Sequence, residues 1–471
     1  MTELPDFLKP PALISGKRYG ELHHVKEIDR DYWVVTGHPH MLGVLKRVFP
    51  VCRTFHAGNW IEEAGQESND NEHIHKVEFP LTKRTVGDLN WFMMRYPLDV
   101  RDPLDWENLL RQAQEHFTKL ESMLERPSKI TPPPKFIGKL KEFQKEGLAF
   151  LCHNERSLLA DEMGLGKTPV ALAYLTTLKD GPPWIVVVPP HLLPQWRREI
   201  AKFLGNDTKV HIIEGQKNYE LPDADVYLVH YLLLMHWKTY LPAFGFNACV
   251  FDEVHELRHS GTEKYSAASL LASSVDNVIG LSGTPFFNYG GEIWNVLNIL
   301  EDKILGDYAS FSREWCWGYF GKQIARPAEF GAFLKEQGLL LRRLKEDVMS
   351  ELPPKRRVIQ QVDVDQGTYD SLISPVVDQA LALPQIEKAW DRGRQEMRVI
   401  DQTRRATGIA KAHYVAAFVE TLLEAGEPCI LFGHHHDVID IWLEDLRQGQ
   451  HHPVFITGRQ NKKEKDEAQE L

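Results

Sequence analysis

Leu158–Thr168 reads LLADEMGLGKT, an apolar run, a turn holding Gly164 and Gly166, then Lys167 and Thr168 at the start of a helix. Backbone N–H groups of such a turn, with the helix N-terminus behind them, form a nest for phosphate oxygens. Lys167 has the reach for β- and γ-phosphates, and the Thr168 hydroxyl suits Mg²⁺. The general phosphate-loop pattern asks for glycine five positions before Gly166, where this chain has Asp161. A second acidic element follows in Cys249–His255, CVFDEVH. Asp252 at the end of an apolar strand suits Mg²⁺, and Glu253 suits orienting and deprotonating an attacking water.

These residues need a sheet to hold them, and the flanking sequence supplies one. Short buried runs at Ile185–Val188, Val226–Val229, Ala248–Phe251 and Val278–Leu281 alternate with helical patterns. That alternation predicts a parallel α/β sheet. The Pro-rich stretch at 127–135 reads as a linker, because proline favours extended backbone and stops helices. Ahead of it, residues 1–126 read as a small α+β domain. It has a strand at Tyr32–Thr36, an aromatic cluster at Asp88–Pro97 and a helix from about Trp106 to Leu124. Residues 290–350 read as mostly helical, and a further strand–helix unit begins near Pro428.

Composition narrows the class. The 471 residues are 43% hydrophobic and carry a net charge of −11. Neither an 18-residue apolar run nor a basic-then-apolar leader pattern occurs, which sets aside a membrane span and a signal peptide. The five cysteines are dispersed without a CxxC pair, which argues against a zinc module and for a reducing, intracellular compartment. The negative balance does not advertise a nucleic-acid binder, although binding needs only a local basic track. Lys335–Arg357 has seven basic and four acidic residues, and Arg392–Lys411 has six and two. A solvated face explains either stretch as well as a phosphate track does.

The order of motifs resembles the Swi/Snf-type ATPases of helicase superfamily two over roughly residues 136–471. Lys139–Leu151 sits where that family has its adenine-reading glutamine, here Gln144. DEMGLGKT is the family's own form of the phosphate loop, which accounts for Asp161. Ile185–Trp196 is similar to motif Ia, Tyr227–Leu234 to motif Ib, and FDEVH to the DEAH-type box. Gly280–Asn288 is similar to motif III, and Leu341–Lys355 to the signature that follows the first lobe. The helix at Gly408–Gly426, leading into PCILFGHHHDVIDIW, resembles the annealing-helicase branch.

The resemblance implies a RecA-like first lobe at 136–357, with its helical insertion at about 290–350, and a partial second RecA-like lobe at 358–471. It implies ATP held by Gln144, Asp161, Gly164, Leu165, Gly166, Lys167 and Thr168, with Mg²⁺ on Thr168 and Asp252. Lys167, Asp252 and Glu253 are the catalytic set, and Ser282, Gly283 and Thr284 couple nucleotide state to a DNA track. Pro190, Gln195, Trp196 and His230 fall at the family's DNA-contacting positions. The resemblance further implies double-stranded or branched DNA as the partner and ATP-driven movement along it, in the cytoplasm, nucleoid or nucleus, as the activity. The chain stops before motifs V and VI, so the arginine finger is missing and weak hydrolysis by this chain alone is expected. A strand-separating DNA or RNA helicase, and a nucleotide-gated scaffold with vestigial hydrolysis, remain as alternatives.

Within the carboxyl-terminal part, Ile409, Ala412, Ala416, Val419 and Leu422 share one apolar helix face, and Ile430–Phe432 is predicted as a buried strand. His434–His436 is read as a loop facing the DNA or the cleft rather than a metal site. Consecutive histidines do not easily converge on one ion, and no cysteine or carboxylate shell is evident around them.

Overall fold

The computed structural model describes residues 18–27, 31–56, 74–125, 128–284, 290–302, 304–317, 323–349, 351, 357–461, 464–465 and 467–468. They fall into two compact units, 1–353 and 354–471.

The first unit begins with a five-stranded sheet. Its elements are β1 (Gly20–Lys26), β2 (Asp31–Gly37), α1 (Pro39–Val48), β3 (Arg53–His56), β4 (Ile74–Pro80), α2 (Lys83–Arg95), β5 (Leu98–Val100) and α3 (Pro103–Glu125). The strand order is β3-β4-β2-β1-β5, with β5 parallel to β1 and the other pairings antiparallel. Trp33, Phe79, Leu89, Phe92 and Trp106 close a core of its own, as the aromatic run predicts. Arg84 from α2 reaches the carboxylate of Glu314 at 2.8 Å.

The sheet that carries the site follows. α4 (Glu142–His153) leads into β6 (Arg156–Leu159), α5 (Lys167–Thr177), β7 (Trp184–Val188), α6 (Leu193–Leu204), β8 (Val210–Ile212) and β9 (Val226–His230). Two short helices, α7 (Tyr231–Leu234) and α8 (Tyr240–Ala243), precede β10 (Ala248–Asp252), α9 (Glu263–Ser273) and β11 (Asn277–Leu281). All pairings are parallel, in the order β14 (Leu340–Leu341), β6, β11, β10, β7, β9, β8. The central strands β7 and β10 are buried at every position, which is why they read as continuous apolar runs rather than alternating ones. The four predicted strands are present, each within a residue of its expected ends.

The stretch at 290–350 is less uniformly helical than the sequence suggests. It contains α10 (Gly290–Leu300), α11 (Tyr308–Trp315), a hairpin of β12 (Cys316–Trp317) and β13 (Gln323–Ile324), and α12 (Pro327–Glu336). The chain then returns to the main sheet as β14 (Leu340–Leu341), paired with β6, before α13 (Lys345–Val348). A two-residue edge strand has too short a pattern to be seen in sequence, yet it brings the LRRLK segment against the phosphate loop.

In the second unit α14 (Gln366–Ala382), the long α15 (Ala389–Glu424) and α16 (His436–Gln448) pack together. Ala412, Ala416 and Val419 are buried, and Ile409 and Leu422 are half-buried, so the expected apolar face of α15 is present. The predicted strand at Ile430–Phe432 is not. The segment belongs to no ladder, and Ile430 and Phe432 are 85% and 88% exposed. A strand's hydrogen bonds come from neighbours, and no described residue of this unit forms one. No described helix of the chain is long and apolar enough to cross a membrane.

Candidate functional site

Three adjacent parallel strands, β6, β11 and β10, release their chains at the same edge of the sheet. In such sheets ligands bind beyond the carboxyl ends of the strands. The phosphate loop follows β6, the Ser282–Thr284 turn follows β11, and the Asp252–Glu253 pair ends β10. The topology therefore brings together residues separated by more than a hundred positions.

Gly164 and Gly166 lie in the left-handed region, at φ +83° and +76°, where glycine is at home and other residues are strained. A Cβ on Gly166 would also stand 2.5 Å from the Gln144 side-chain nitrogen. Gly166 is the N-cap of α5, so the orphan N–H groups of that helix open into the loop. Gln144 braces the loop from α4. Its Oε1 accepts the N–H of Lys141 at 2.8 Å, and its Nε2 donates to the Leu165 carbonyl at 3.0 Å. Leu165 contributes through that backbone group, since its side chain is buried. Thr168 is half-buried in the first turn of α5.

Lys167 is the meeting point. Its Nζ donates to the Asp161 carbonyl at 2.8 Å, a contact that holds the amine inside the loop. Burial draws its pKa below the usual lysine value, while Glu253, Asp252 and Asp161 pull the other way. A Cβ on Gly283 would lie 3.6 Å from this amine, which places the turn after β11 against it.

The acidic pair is held from behind. Asp252 is 7% exposed, and its carboxyl is pushed up to about 6, chiefly by burial. Trp196 opposes that shift, its indole N–H donating to Asp252 Oδ2 at 2.7 Å. The Tyr231 hydroxyl donates to the Asp252 carbonyl at 2.8 Å. Glu253 occupies the left-handed region at φ 50°, an uncommon conformation for a residue with a side chain, of the kind found at functional sites. Its Oε2 stands 3.1 Å from Nδ1 of His255. That ring nitrogen is 3.2 Å from the Ser282 hydroxyl, which accepts the N–H of Thr284 at 3.1 Å. Hydrogen bonds thus join His255 to the turn after β11, with the Glu253 carboxylate close beside its ring.

Two expected roles change. Trp196 was placed among the DNA-contacting residues, but it is 1% exposed and its one polar group is spent on Asp252. Its position on α6 gives an inward-facing side chain, whereas Gln195 and Pro190 are exposed and His230 is half-buried. Asp161 was placed on the nucleotide, but its carboxylate is buried beneath Arg343. The Arg343 backbone N–H and Nε donate to Asp161 Oδ1 at 3.1 and 3.0 Å, and NH1 donates to the Phe143 carbonyl. Only the carbonyl of Asp161 faces the lysine.

Arg342, Arg343 and His255 were absent from the expected site. Arg342 donates to the carbonyls of Ala160 and Gly283, both at 3.1 Å, tying the phosphate loop to the turn after β11. His255 had a signal in the FDEVH run, and the two arginines in LRRLK, but their partners are set by the fold. The 285–288 part of motif III and most of 350–356 lie outside the described residues.

The donor set fits a nucleotide with its metal. It combines a glycine cradle at a helix N-terminus, a half-buried amine, and two carboxylates at the end of β10. Phosphate oxygens suit the amine and N–H groups, and Asp252 with the Thr168 hydroxyl supplies the hard oxygen ligands that Mg²⁺ takes.

The chain is similar to known proteins of one family. The SNF2-related domain model matches residues 143–398. The Caenorhabditis elegans SWI/SNF-related matrix-associated actin-dependent regulator of chromatin subfamily A-like protein 1 homolog is 29% identical over 344 residues, covering 69% of this chain and 48% of that protein. The mouse DNA annealing helicase and endonuclease ZRANB3 is 26% identical, covering 74% of this chain and 33% of its own. The Sulfolobus solfataricus SWI2/SNF2 ATPase core in complex with dsDNA aligns at TM-score 0.42 and 20% identity, over 72% of this chain and 76% of that one. The chain spans about half or less of the length of these two curated relatives.

Proposed function

The chain belongs to the SNF2-related domain family, and on that premise we propose that it is a DNA-dependent ATPase whose hydrolysis drives movement along double-stranded DNA. The observation that carries the reading is the convergence of Lys167, the Asp252–Glu253 pair and the Gly283 turn at one sheet edge. Gly164, Gly166 and the N-terminus of α5 receive the phosphates of ATP, and Lys167 leaves the Asp161 carbonyl for the β- and γ-phosphates. Thr168 and Asp252 hold Mg²⁺, which when bound neutralises charge on the transferred phosphoryl group. Glu253 orients a water and takes its proton as the water oxygen bonds to the γ-phosphorus and the bond to ADP breaks. Gln144 contacts the adenine edge while bracing the loop.

Coupling runs through His255 and Ser282. A change in the charge around Glu253 alters the hydrogen bond that Ser282 shares with His255, and with it the turn from Ser282 to Thr284. Exposed Pro190 and Gln195, with His230, are the DNA-facing candidates on this lobe. Such backbone-directed contacts imply little base specificity and steep salt dependence. The names of the annealing-helicase relatives support DNA as the track.

The test is ATP hydrolysis by this chain with and without duplex, single-stranded and forked DNA, with ATP binding followed in parallel. Lys167→Ala abolishes nucleotide binding or turnover. Glu253→Gln retains binding and stops turnover. Absence of ATP binding in the wild-type chain, or turnover unchanged in either variant, refutes the assignment.

A further inference from the structure

We propose that Asp401, His434 and His435 form a binding site for a divalent transition-metal ion of the zinc type. Asp401 lies on α15, and the two histidines lie on the segment entering α16, where His435 is the N-cap. One ligand atom from each residue lies within 4.8 Å of the others. Asp401 and His434 are exposed and His435 is half-buried, so the cluster is open to an ion from solvent. A second observation points the same way. Nε2 of His435 is buried and has no hydrogen-bond partner among the described residues. A buried polar nitrogen without a partner costs stability unless something satisfies it.

Both sequence objections to a metal lapse in three dimensions. The extended backbone of His435 turns the two rings edge to face, with centroids 4.9 Å apart and planes at 83°, so neighbouring histidines approach one point instead of diverging. The missing carboxylate arrives from α15, thirty-three positions before the first histidine, through packing that no local spacing announces. Ligand atoms around a tetrahedral ion sit about 3.4 Å apart. Rotations of three side chains, two of them exposed, cover the difference. Two imidazoles and one carboxylate suit Zn²⁺, Co²⁺ or Ni²⁺ rather than Ca²⁺ or Mg²⁺, with remaining positions open to water. Loaded, the ion links α15 to the start of α16. The site owes nothing to the nucleotide reading and stands or falls separately from it.

Zn²⁺ titrated into the full chain by calorimetry, and Co²⁺ followed by its ligand-field absorption, test the proposal. The expected result is one site of micromolar or tighter affinity, with a tetrahedral or five-coordinate Co²⁺ spectrum. Asp401→Asn, which keeps shape and fold, weakens binding by about tenfold or more, and His435→Ala at least as much. His191→Ala, at an exposed histidine of the other unit, leaves binding unchanged. Millimolar affinity in the wild type, or a tight site that survives in the folded Asp401→Asn/His435→Ala double variant, overturns the assignment.

Discussion

Replacing Trp196 with phenylalanine separates two roles proposed for motif Ia, support of Asp252 as a metal ligand and contact with DNA. The substitution keeps an aromatic ring in a position that is 1% exposed and removes one N–H, the donor that reaches Asp252 Oδ2 at 2.7 Å. A hydrogen bond to a charged group contributes about 1.5–3 kcal/mol. At a factor of ten for each 1.4 kcal/mol, that is roughly 10- to 150-fold. Partners that orient a metal ligand show the same scale, about 10- to 100-fold in affinity or activity. Asp252 is sensitive to such a loss. Burial already pushes its carboxyl up to about 6, and Trp196 is the largest influence opposing that. The variant also loses part of a buried double ring, at about 1–3 kcal/mol of stability, so a melting curve must first show it folded.

The assay is binding of a fluorescent ATP analogue against Mg²⁺ concentration, with duplex binding by anisotropy in the same buffer. Trp196→Phe raises the Mg²⁺ midpoint by one to two orders of magnitude. Duplex affinity stays within about twofold, the range of changes that touch no contact. Gln195→Ala, one residue earlier and exposed, gives the converse, an unchanged Mg²⁺ midpoint and weaker duplex binding. A Trp196→Phe protein with the wild-type Mg²⁺ midpoint and much weaker duplex binding would refute the reasoning.

Two further predictions concern stability. Arg343→Gln leaves the buried Asp161 carboxylate without its cation and costs about 3–5 kcal/mol, read as a lower denaturant midpoint. A midpoint within error of wild type would show that the pair is not a structural anchor. Asp88, 30% exposed beside Arg84, has its carboxyl pushed up to about 6 by burial, from 3.8 when free. Its folded-state pKa is raised, so its contribution to stability is fullest below about pH 3.8 and is lost as pH rises through about 6. Asp88→Asn therefore stabilises the chain near neutral pH by about 1–2 kcal/mol, with the partial exposure discounting the full shift, and by progressively less toward pH 4. A gain that grows on acidification would contradict the sign.

The parallel sheet was readable because each central strand is buried on both faces, which forces an unbroken apolar run such as Ile185–Val188. The glycine turn before α5 was readable for a similar reason, since only particular residue types serve a positive-φ turn that opens a helix. What sequence did not reveal lies in direction and pairing. Trp196 and Gln195 are neighbours in the same motif, yet one faces the core and the other solvent. Asp161 carries a charge that in sequence belongs to the nucleotide loop and in space belongs to Arg343, 182 positions away. β14 spans only two residues, below the length at which any periodicity is measurable.

The short return of β14 matters more to the site than its length suggests. It sets Arg342 between the Ala160 and Gly283 carbonyls, and Arg343 on Asp161, while the Lys345 N–H donates to Glu162 at 2.7 Å. Two adjacent arginines and the backbone of Lys345 thereby fix the start of the phosphate loop, and Arg342 also grips the turn after β11. Neither carbonyl would find that partner from its own strand. A movement of the LRRLK segment, which directly precedes the second unit in the chain, must disturb the loop that holds Lys167 and the turn that carries Ser282 together. The signature thus has a physical reason to follow the first lobe: its side chains complete a site whose other parts end at β6, β10 and β11.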